Sequence, residues 1–309
     1  MTRVLITGGA GFIGHHLAHA LVARGVGVTV LDDLSMGRRG NVPAAARFVE
    51  GDVRDPAAVR TALEGVDAVL HEAAIVSIRA SVEHFVRDAE VNLMGTLNLL
   101  QQMAGRPIGR AVLASSMAVY ADRSRPEPLA EDAPTEPIAP YGAAKLAAER
   151  YWRMMGAQTG VPATVLRYFN TYGPNQTFTP YVGVITIFIH RLLAGQPPVI
   201  FGDGEQRRDF VHVDDIVRAN LDVLDAPDAA VDGRVFNVGT GRATSVNEVA
   251  AGLIAVIAPG TRPEYAPAQP GELRNAIADP TALAAALGWS PQRGVDFADV
   301  VEFWRGRTS

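Results

Sequence analysis

Tyr141 and Lys145 stand four residues apart at the start of the run YGAAKLAAERYWRMM, a helix-like stretch that puts both side chains on one face, a single turn apart. A phenol titrates at about 10, so to act as a base near neutrality its pKa must fall by roughly 3 pH units, about 4 kcal/mol, and a neighbouring ammonium favours the phenolate. Lys145 supplies that ammonium. Alone, the pair reads as incidental neighbours on a half-exposed helix. Ser116 changes that reading: Ser115 and Ser116 follow a β-rich run, Arg110 to Ala114, and so fall at the carboxyl edge of a sheet, where open α/β folds bind ligands.

A second constellation lies at the amino end. Gly8, Gly11 and Gly14 fall in TGGAGFIG, directly after a strand-like run, Val4 to Thr7, and directly before a helix-like one, Ile13 to Arg24. Such a turn needs a residue tolerant of positive φ, backbone N–H groups free to approach a pyrophosphate, and close packing of helix on strand. Asp32 closes the next strand at the spacing of a ribose-binding acid. Its carboxylate would accept from the adenosine 2′- and 3′-hydroxyls and repel a 2′-phosphate, which predicts NAD rather than NADP. Arg38 and Arg39, the cations that could hold such a phosphate, read instead as a solvated loop. Asp52 and Val53 end the third strand beside the expected adenine site, where an Asp before a helix also suits a cap.

The elements that must position these groups alternate in βαβ rhythm. Val4–Thr7, Val28–Asp32, Arg47–Glu50, Ala68–His71, Arg110–Ala114 and Ala163–Tyr168 read as parallel strands, with helices over Ile13–Arg24, Pro56–Glu64, Val82–Met103 and Gly142–Gly156. The expected fold class is α/β, a Rossmann-type doubly wound parallel sheet with a smaller mixed C-terminal substrate lobe. From about Gly173 prolines loosen the rhythm, so a nucleotide-binding domain is expected over 1–172 and a second lobe over 173–309, interleaved because Val235–Asn237 and the region 210–242 return to the sheet.

Composition narrows the partners. The chain of 309 residues carries no cysteine and a formal charge of -5. It therefore has no disulfide framework or thiolate chemistry, suits a reducing cytoplasm, and has no electrostatic footprint for nucleic acid. No apolar run approaches the ~18 residues of a membrane span, and the amino terminus reads as a strand rather than a signal peptide. The seven histidines, His15 and His16 included, show no metal-ligand spacing and read as surface or capping residues.

The chain resembles the extended short-chain dehydrogenase/reductases, and within them nucleotide-sugar epimerases of the UDP-galactose 4-epimerase type. The resemblance rests on TGGAGFIG, DDLSMG at 32–37, GDVRD at 51–55, HEAA at 71–74, SSMAVY at 115–120, YGAAK at 141–145, RYFNTYGP at 167–174 and GDGEQRRDFVHVDD at 202–215, and spans essentially the whole chain. It implies Ser116, Tyr141 and Lys145 as the catalytic set, with Tyr141 and Lys145 also at the cofactor. Further NAD contacts are implied at Gly8, Gly11, Phe12, Ile13, Asp32, Asp33, Ser35, Gly37, Asp52, Val53, Ala73, Ala74, Asn92 and Tyr168. A nucleotide-diphosphate sugar is implied to meet Ser116, Asn170, Phe201, Arg208 and Glu272. Gln269 and Pro270 stand where relatives carry an Arg, with Arg274 as a candidate substitute.

Met117 and Ala118 follow Ser116 where 4,6-dehydratases carry an Asp-Glu pair and decarboxylases a Glu; neither side chain can move a proton. Epimerisation needs only oxidation and reduction at one carbon. The expected activity is thus NAD-dependent C4 epimerisation of UDP-glucose/UDP-galactose or their N-acetyl forms. A 4-keto-sugar reductase is the alternative, as are UDP-uronate or dTDP-sugar substrates; a non-catalytic NAD-binding scaffold would need a damaged site. No Lys or Arg lies between Arg167 and Arg191 to receive a uronate, and Ala276 offers room for a 2-acetamido group. Apolar side chains on more than one helix face, Phe85, Val86, Met94, Leu97 and Leu100 in one helix, Ala144, Ala147, Ala148, Tyr151 and Met155 in another, predict a homodimer.

Overall fold

Alternate residues of the first strand are apolar on both sides: Val4 and Ile6 enter one hydrophobic cluster and Leu5 the other. A strand with two apolar faces must be covered on both, and the architecture follows from that requirement. The computed structural model describes residues 3–178, 183–268 and 273–307. Its strands are β1 (Arg3–Thr7), β2 (Gly27–Asp32), β3 (Arg47–Glu50), β4 (Ala68–His71), β5 (Arg110–Ser116), β6 (Ala163–Tyr168), β7 (Asn170–Tyr172), β8 (Val199–Phe201), β9 (Arg207–Arg208), β10 (Phe210–His212), β11 (Val235–Val238), β12 (Thr244–Ser245), β13 (Glu264–Ala266) and β14 (Asn275–Ala276).

The main sheet has seven strands in the order β11-β6-β5-β4-β1-β2-β3, all paired in parallel. The order reverses between β1 and β4, which opens a crevice at their carboxyl ends. Helices α1 (Phe12–Ala23), α2 (Pro56–Ala62), α3 (Ile78–Glu83), α4 (Phe85–Ala89), α5 (Thr96–Met103), α6 (Pro140–Thr159), α7 (Val184–Leu193) and α8 (Val213–Asp225) follow in chain order. Leu17 and Leu21 of α1 with Ile216 and Val223 of α8 cover one face. Val59 of α2, Leu99 of α5, and Ala148 and Trp152 of α6 cover the other. The C-terminal lobe has its own core around Tyr172, Phe188, Ile189, Phe210 and Leu253. Its small sheets mix parallel and antiparallel pairs.

The single helix expected over Val82–Met103 is broken. It divides into α3, a break at His84 (φ -130°, ψ 47°), α4, a π-helical turn over Glu90–Gly95, and α5. The wide turn carries Asn92, whose amide is drawn sideways onto the backbone of Ile75, accepting from its N–H and donating to its carbonyl at 3.0 Å each. Apolar periodicity does not register such a turn.

One buried ion pair ties two site-bearing elements together. Arg167 of β6 grips Glu149 of α6 through Nε (2.9 Å) and Nη2 (2.7 Å), with 6% and 4% of the side chains exposed. Ser115 Oγ also donates to Glu149, and Arg167 Nη1 donates to the Tyr120 hydroxyl at 2.9 Å. Arg167→Met strands a buried carboxylate, so urea unfolding is expected to show a loss of about 3–5 kcal/mol, largely recovered in Arg167→Met/Glu149→Leu. A loss no larger than that of an exposed arginine would contradict this account.

Candidate active site

Between Thr7 and Phe12 the chain turns through its glycines. Gly8 has φ +68°, and a Cβ there would lie 2.7 Å from the Ala73 nitrogen; at Gly14 it would lie 2.2 Å from the Gly8 carbonyl oxygen. No side chain caps the start of α1, which leaves its first N–H groups directed at an anion. Asp32 closes β2 at 8% exposure and accepts from the N–H groups of Ala10 and Leu34, both at 2.9 Å. Burial pushes its carboxyl up and those donors pull it back. A Cβ at Gly37 would fall 2.9 Å from Asp32 Oδ1, so glycine is what keeps this cradle open. Turn, helix end and acid fit a dinucleotide.

These groups line a continuous cleft of about 830 Å³. Of the expected cofactor set, Gly8, Gly11, Phe12 and Ile13 line it from the turn, and Asp32, Asp33, Ser35 and Gly37 from the segment after β2. Asp52 and Val53 line it after β3, Ala73 and Ala74 after β4, and Tyr168 at the end of β6. Asn92 does not line it: at 1% exposure its amide is engaged by Ile75 and Asp88 behind the wall, so direct cofactor contact at Asn92 is corrected to support of the segment at Ile75. The Asp52 carboxylate is held by Arg54 at 2.6 Å, well below the usual carboxylate range. Arg38 and Arg39 are absent from the cleft wall, and Arg39 stacks on Phe48.

Ser116 is the last residue of β5, and α6 starts with Pro140 at its first position. A Cβ at Gly142 would lie 2.1 Å from the Ala118 carbonyl oxygen, so the first turn of α6 rests directly on the backbone beyond Ser116. That contact brings Tyr141 to Ser116, with which it hydrogen-bonds. Tyr141 and Lys145 are 6% and 3% exposed, and Lys145 Nζ donates to the Ala114 carbonyl at 2.9 Å. Burial pushes the Tyr141 phenol above its ordinary value, the Ser116 hydroxyl pulls it down, and the Asp88 and Glu72 carboxyls push it up. Burial also pushes Lys145 down to about 8, with Glu72, Asp88 and Glu149 holding it up. Burial is thus the largest influence on both groups, and on Tyr141 it opposes the help expected from the neighbouring ammonium.

Beyond β6, Asn170 on β7, Phe201 ending β8 and Arg208 on β9 line the same cleft. Asn170 Oδ1 is buried with no hydrogen-bond partner among the described residues. Arg208 is 9% exposed, its Nη1 donating to the carbonyls of Arg207 (3.0 Å) and Arg274 (3.3 Å). Glu272, Gln269 and Pro270 lie outside the described residues. Arg274 pairs with Asp203 at 2.8 Å, away from the cleft wall, and so does not stand in for the missing Arg. Ala276 is fully buried in the core and forms none of the wall, whereas Met117 does.

His15, expected with His16 as a surface or capping residue, is buried, and His16 is half-buried. His15 bonds the Gly11 carbonyl and Asn175, with burial pushing its pKa to about 4, and His16 bonds the Pro174 carbonyl. Both clasp α1 to the loop after β7. Sequence reasoning missed Arg54, Glu72, Gln176 and Arg191, which also line the cleft. Arg54 and Glu72 lie inside GDVRD and HEAA, and their place next to strand ends was the available signal.

The family described as NAD dependent epimerase/dehydratase matches residues 4–239. The chain belongs to that family. A UDP-glucose 4-epimerase of Mycolicibacterium smegmatis is 36% identical over 314 residues, covering 99% of each chain. The Thermotoga maritima UDP-glucose 4-epimerase, solved with UDP-glucose, superposes with a TM-score of 0.95 at 36% identity and covers 100% of both chains. The Thermus thermophilus enzyme, in complex with NAD, superposes at 0.92 with 37% identity, covering 99% of this chain and 100% of that one.

Proposed function

We infer that this protein holds NAD in the cleft and inverts C4 of a nucleotide-diphosphate sugar, a UDP-hexose, through a transient 4-keto sugar. The observation that carries the reading is the convergence on one cleft of the glycine turn, the Ser116–Tyr141–Lys145 set and the Asn170–Arg208 pair. It is supported by epimerases that match the chain end to end.

The Asp32 cradle and the first turn of α1 would hold the dinucleotide, with Lys145 on the ribose next to the nicotinamide. Bound NAD supplies a reversible hydride acceptor and, when oxidised, a positive charge that favours ionisation of a nearby phenol. Tyr141 takes the proton of the sugar 4-hydroxyl while Ser116 hydrogen-bonds the same oxygen, and the Lys145 ammonium offsets the phenolate. Arg208 and Asn170 anchor the diphosphate. That anchor lets the hexose turn over about its linkage, so that Tyr141 returns the proton to an alcohol of opposite configuration. No net redox change results, and the cofactor stays bound through turnover.

A neutral hexose is favoured because no Lys or Arg lies between Arg167 and Arg191 in the sequence and Arg191 Nε is tied to the Pro197 carbonyl at 2.7 Å. The test is to incubate the NAD-loaded protein with UDP-glucose, UDP-N-acetylglucosamine, UDP-glucuronate and dTDP-glucose and to follow the sugar protons by NMR. A C4 epimer at equilibrium without accumulating NADH supports the reading. A keto sugar with stoichiometric NADH, or no epimer from any of the four, overturns it.

The two lobes are placed at 1–172 and 173–309, the stretch 210–242 belonging with the first. We place the protein in the cytoplasm, since it carries no cysteine and no helix among the described residues is long and apolar enough to cross a membrane. The homodimer is assigned to the face of α4, the π turn and α6, where Phe85 (60%), Val86 (59%), Met94 (55%) and Tyr151 (41%) stand exposed. Leu100, Ala144 and Ala148 of the expected set are buried in the protomer instead. Light scattering is expected to give about twice the protomer's 32.8 kDa, and Phe85→Glu to return it to one protomer. A wild-type mass of a single protomer removes the dimer.

A further inference from the structure

Past the end of β4, successive side chains go to opposite sides of the sheet. His71 turns inward to Thr96 and stacks on Trp152, while the next residue, Glu72, lines the cleft. No step assigned above uses Glu72. Its Oε1 accepts from the Tyr168 hydroxyl at 2.8 Å, and that hydroxyl accepts from Nδ2 of the fully buried Asn220 at 2.7 Å. The proton of Tyr168 is thereby committed to Glu72 and a lone pair to α8, which pins the aromatic ring at the end of β6. Glu72, Tyr168, Tyr141 and Lys145 line the same cleft.

Three carboxyls act on Lys145: Glu72, Asp88 of α4 and Glu149 of α6. Glu149 is already gripped by Arg167, and Asp88 accepts from Asn92 Nδ2 at 2.9 Å. His71 is held neutral, burial pushing it to about 3. Of the three carboxyls, Glu72 is the one that lines the cleft, and the cation acting on it is Lys145. Burial pushes Glu72 up and Lys145 down, and the charge of each favours the charged form of the other.

We propose that Glu72 is a positioning residue for the reaction: its carboxylate is the counter-charge that keeps Lys145 an ammonium, and through Tyr168 it fixes the floor on which the reacting groups meet. The proposal rests on the 4-epimerase reading of the site. A negative charge at position 72 raises the pKa of Lys145, so a neutral isostere lowers it, and Lys145 then loses its proton earlier on the alkaline side.

Lys145 is the only lysine in the sequence. NAD-loaded protein grown on lysine labelled with ¹³C at Cε therefore gives one side-chain resonance whose pH titration reads Lys145 itself. Glu72→Gln is expected to lower that midpoint by about half a pH unit or more, and to move the alkaline limb of kcat/KM for UDP-glucose epimerisation down with it. Glu72→Leu, which also removes the acceptor for Tyr168, is expected to show the same midpoint shift and a lower kcat than Glu72→Gln. It also serves as the second variant should Glu72→Gln fold poorly. A midpoint unchanged or raised in a folded variant overturns the proposal. Wild-type protein that forms no C4 epimer while the midpoint still shifts sinks the epimerase reading and leaves the counter-charge standing.

Discussion

Tyr141→Phe is expected to lower C4 epimerisation by about 10³-fold while NAD remains bound. The substitution removes one oxygen from a buried ring, so the packing beside Gly142 and Ala118 is kept. What disappears is the group that exchanges a proton with the sugar hydroxyl, and loss of a general base costs about 10²–10⁴-fold. Ser116 stays within reach of the substrate oxygen, but a serine hydroxyl is too weak a base to replace the phenolate. The pH profile carries a limb from Lys145: activity falls with rising pH as Lys145, pushed down to about 8, loses the proton whose charge offsets the phenolate. NMR assay of epimer formation together with release of bound NAD by denaturation checks both parts. More than a tenth of wild-type activity in Tyr141→Phe would transfer the proton step to another group.

Gly14→Ala should be nearly as damaging, for a reason that involves no chemistry. The added Cβ would meet the Gly8 carbonyl oxygen at 2.2 Å and the Gly9 Cα at 2.7 Å, both backbone atoms that cannot rotate away. Relief requires α1 to move off the turn, which withdraws the N–H groups that hold the pyrophosphate. Calorimetric titration of the stripped protein with NAD is expected to show affinity lowered by about 100-fold, near 3 kcal/mol. Gly40→Ala, where a Cβ meets nothing within 4 Å, is the matched control and should bind NAD as wild type does. Equal binding by Gly14→Ala would mean that helix and turn are not held together as the close approach requires.

Much of the scaffold was open to inspection in the residues. Arg47–Glu50, Ala68–His71 and Ala163–Tyr168 are strands with the bounds expected of them, because runs of β-branched and apolar residues carry a local signal. The glycine turn and the Tyr141–Lys145 pair were legible for the same reason, each depending on spacing within one turn or one helix face, and Asp32 and Ser116 were legible from their places at strand ends. The helix over Val82–Met103 was not, since its π turn answers to the pull of Ile75 on Asn92. Nor was the place of Arg274, taken by Asp203 from another loop.

What the sequence determined by itself was the fold class and the place of the glycine turn, encoded in local periodicity and short-range spacing, and it pointed to the residues proposed for proton transfer. Tertiary structure alone decided the electrostatics. Tyr141 and Lys145 lie one helical turn apart in any helix, but burial against β5, the Ala114 carbonyl beneath Lys145 and Glu72 arriving from β4 set the charge each carries. Desolvation and long-range carboxyls depend on which distant strands become neighbours, and that arrangement exists only once the sheet has formed.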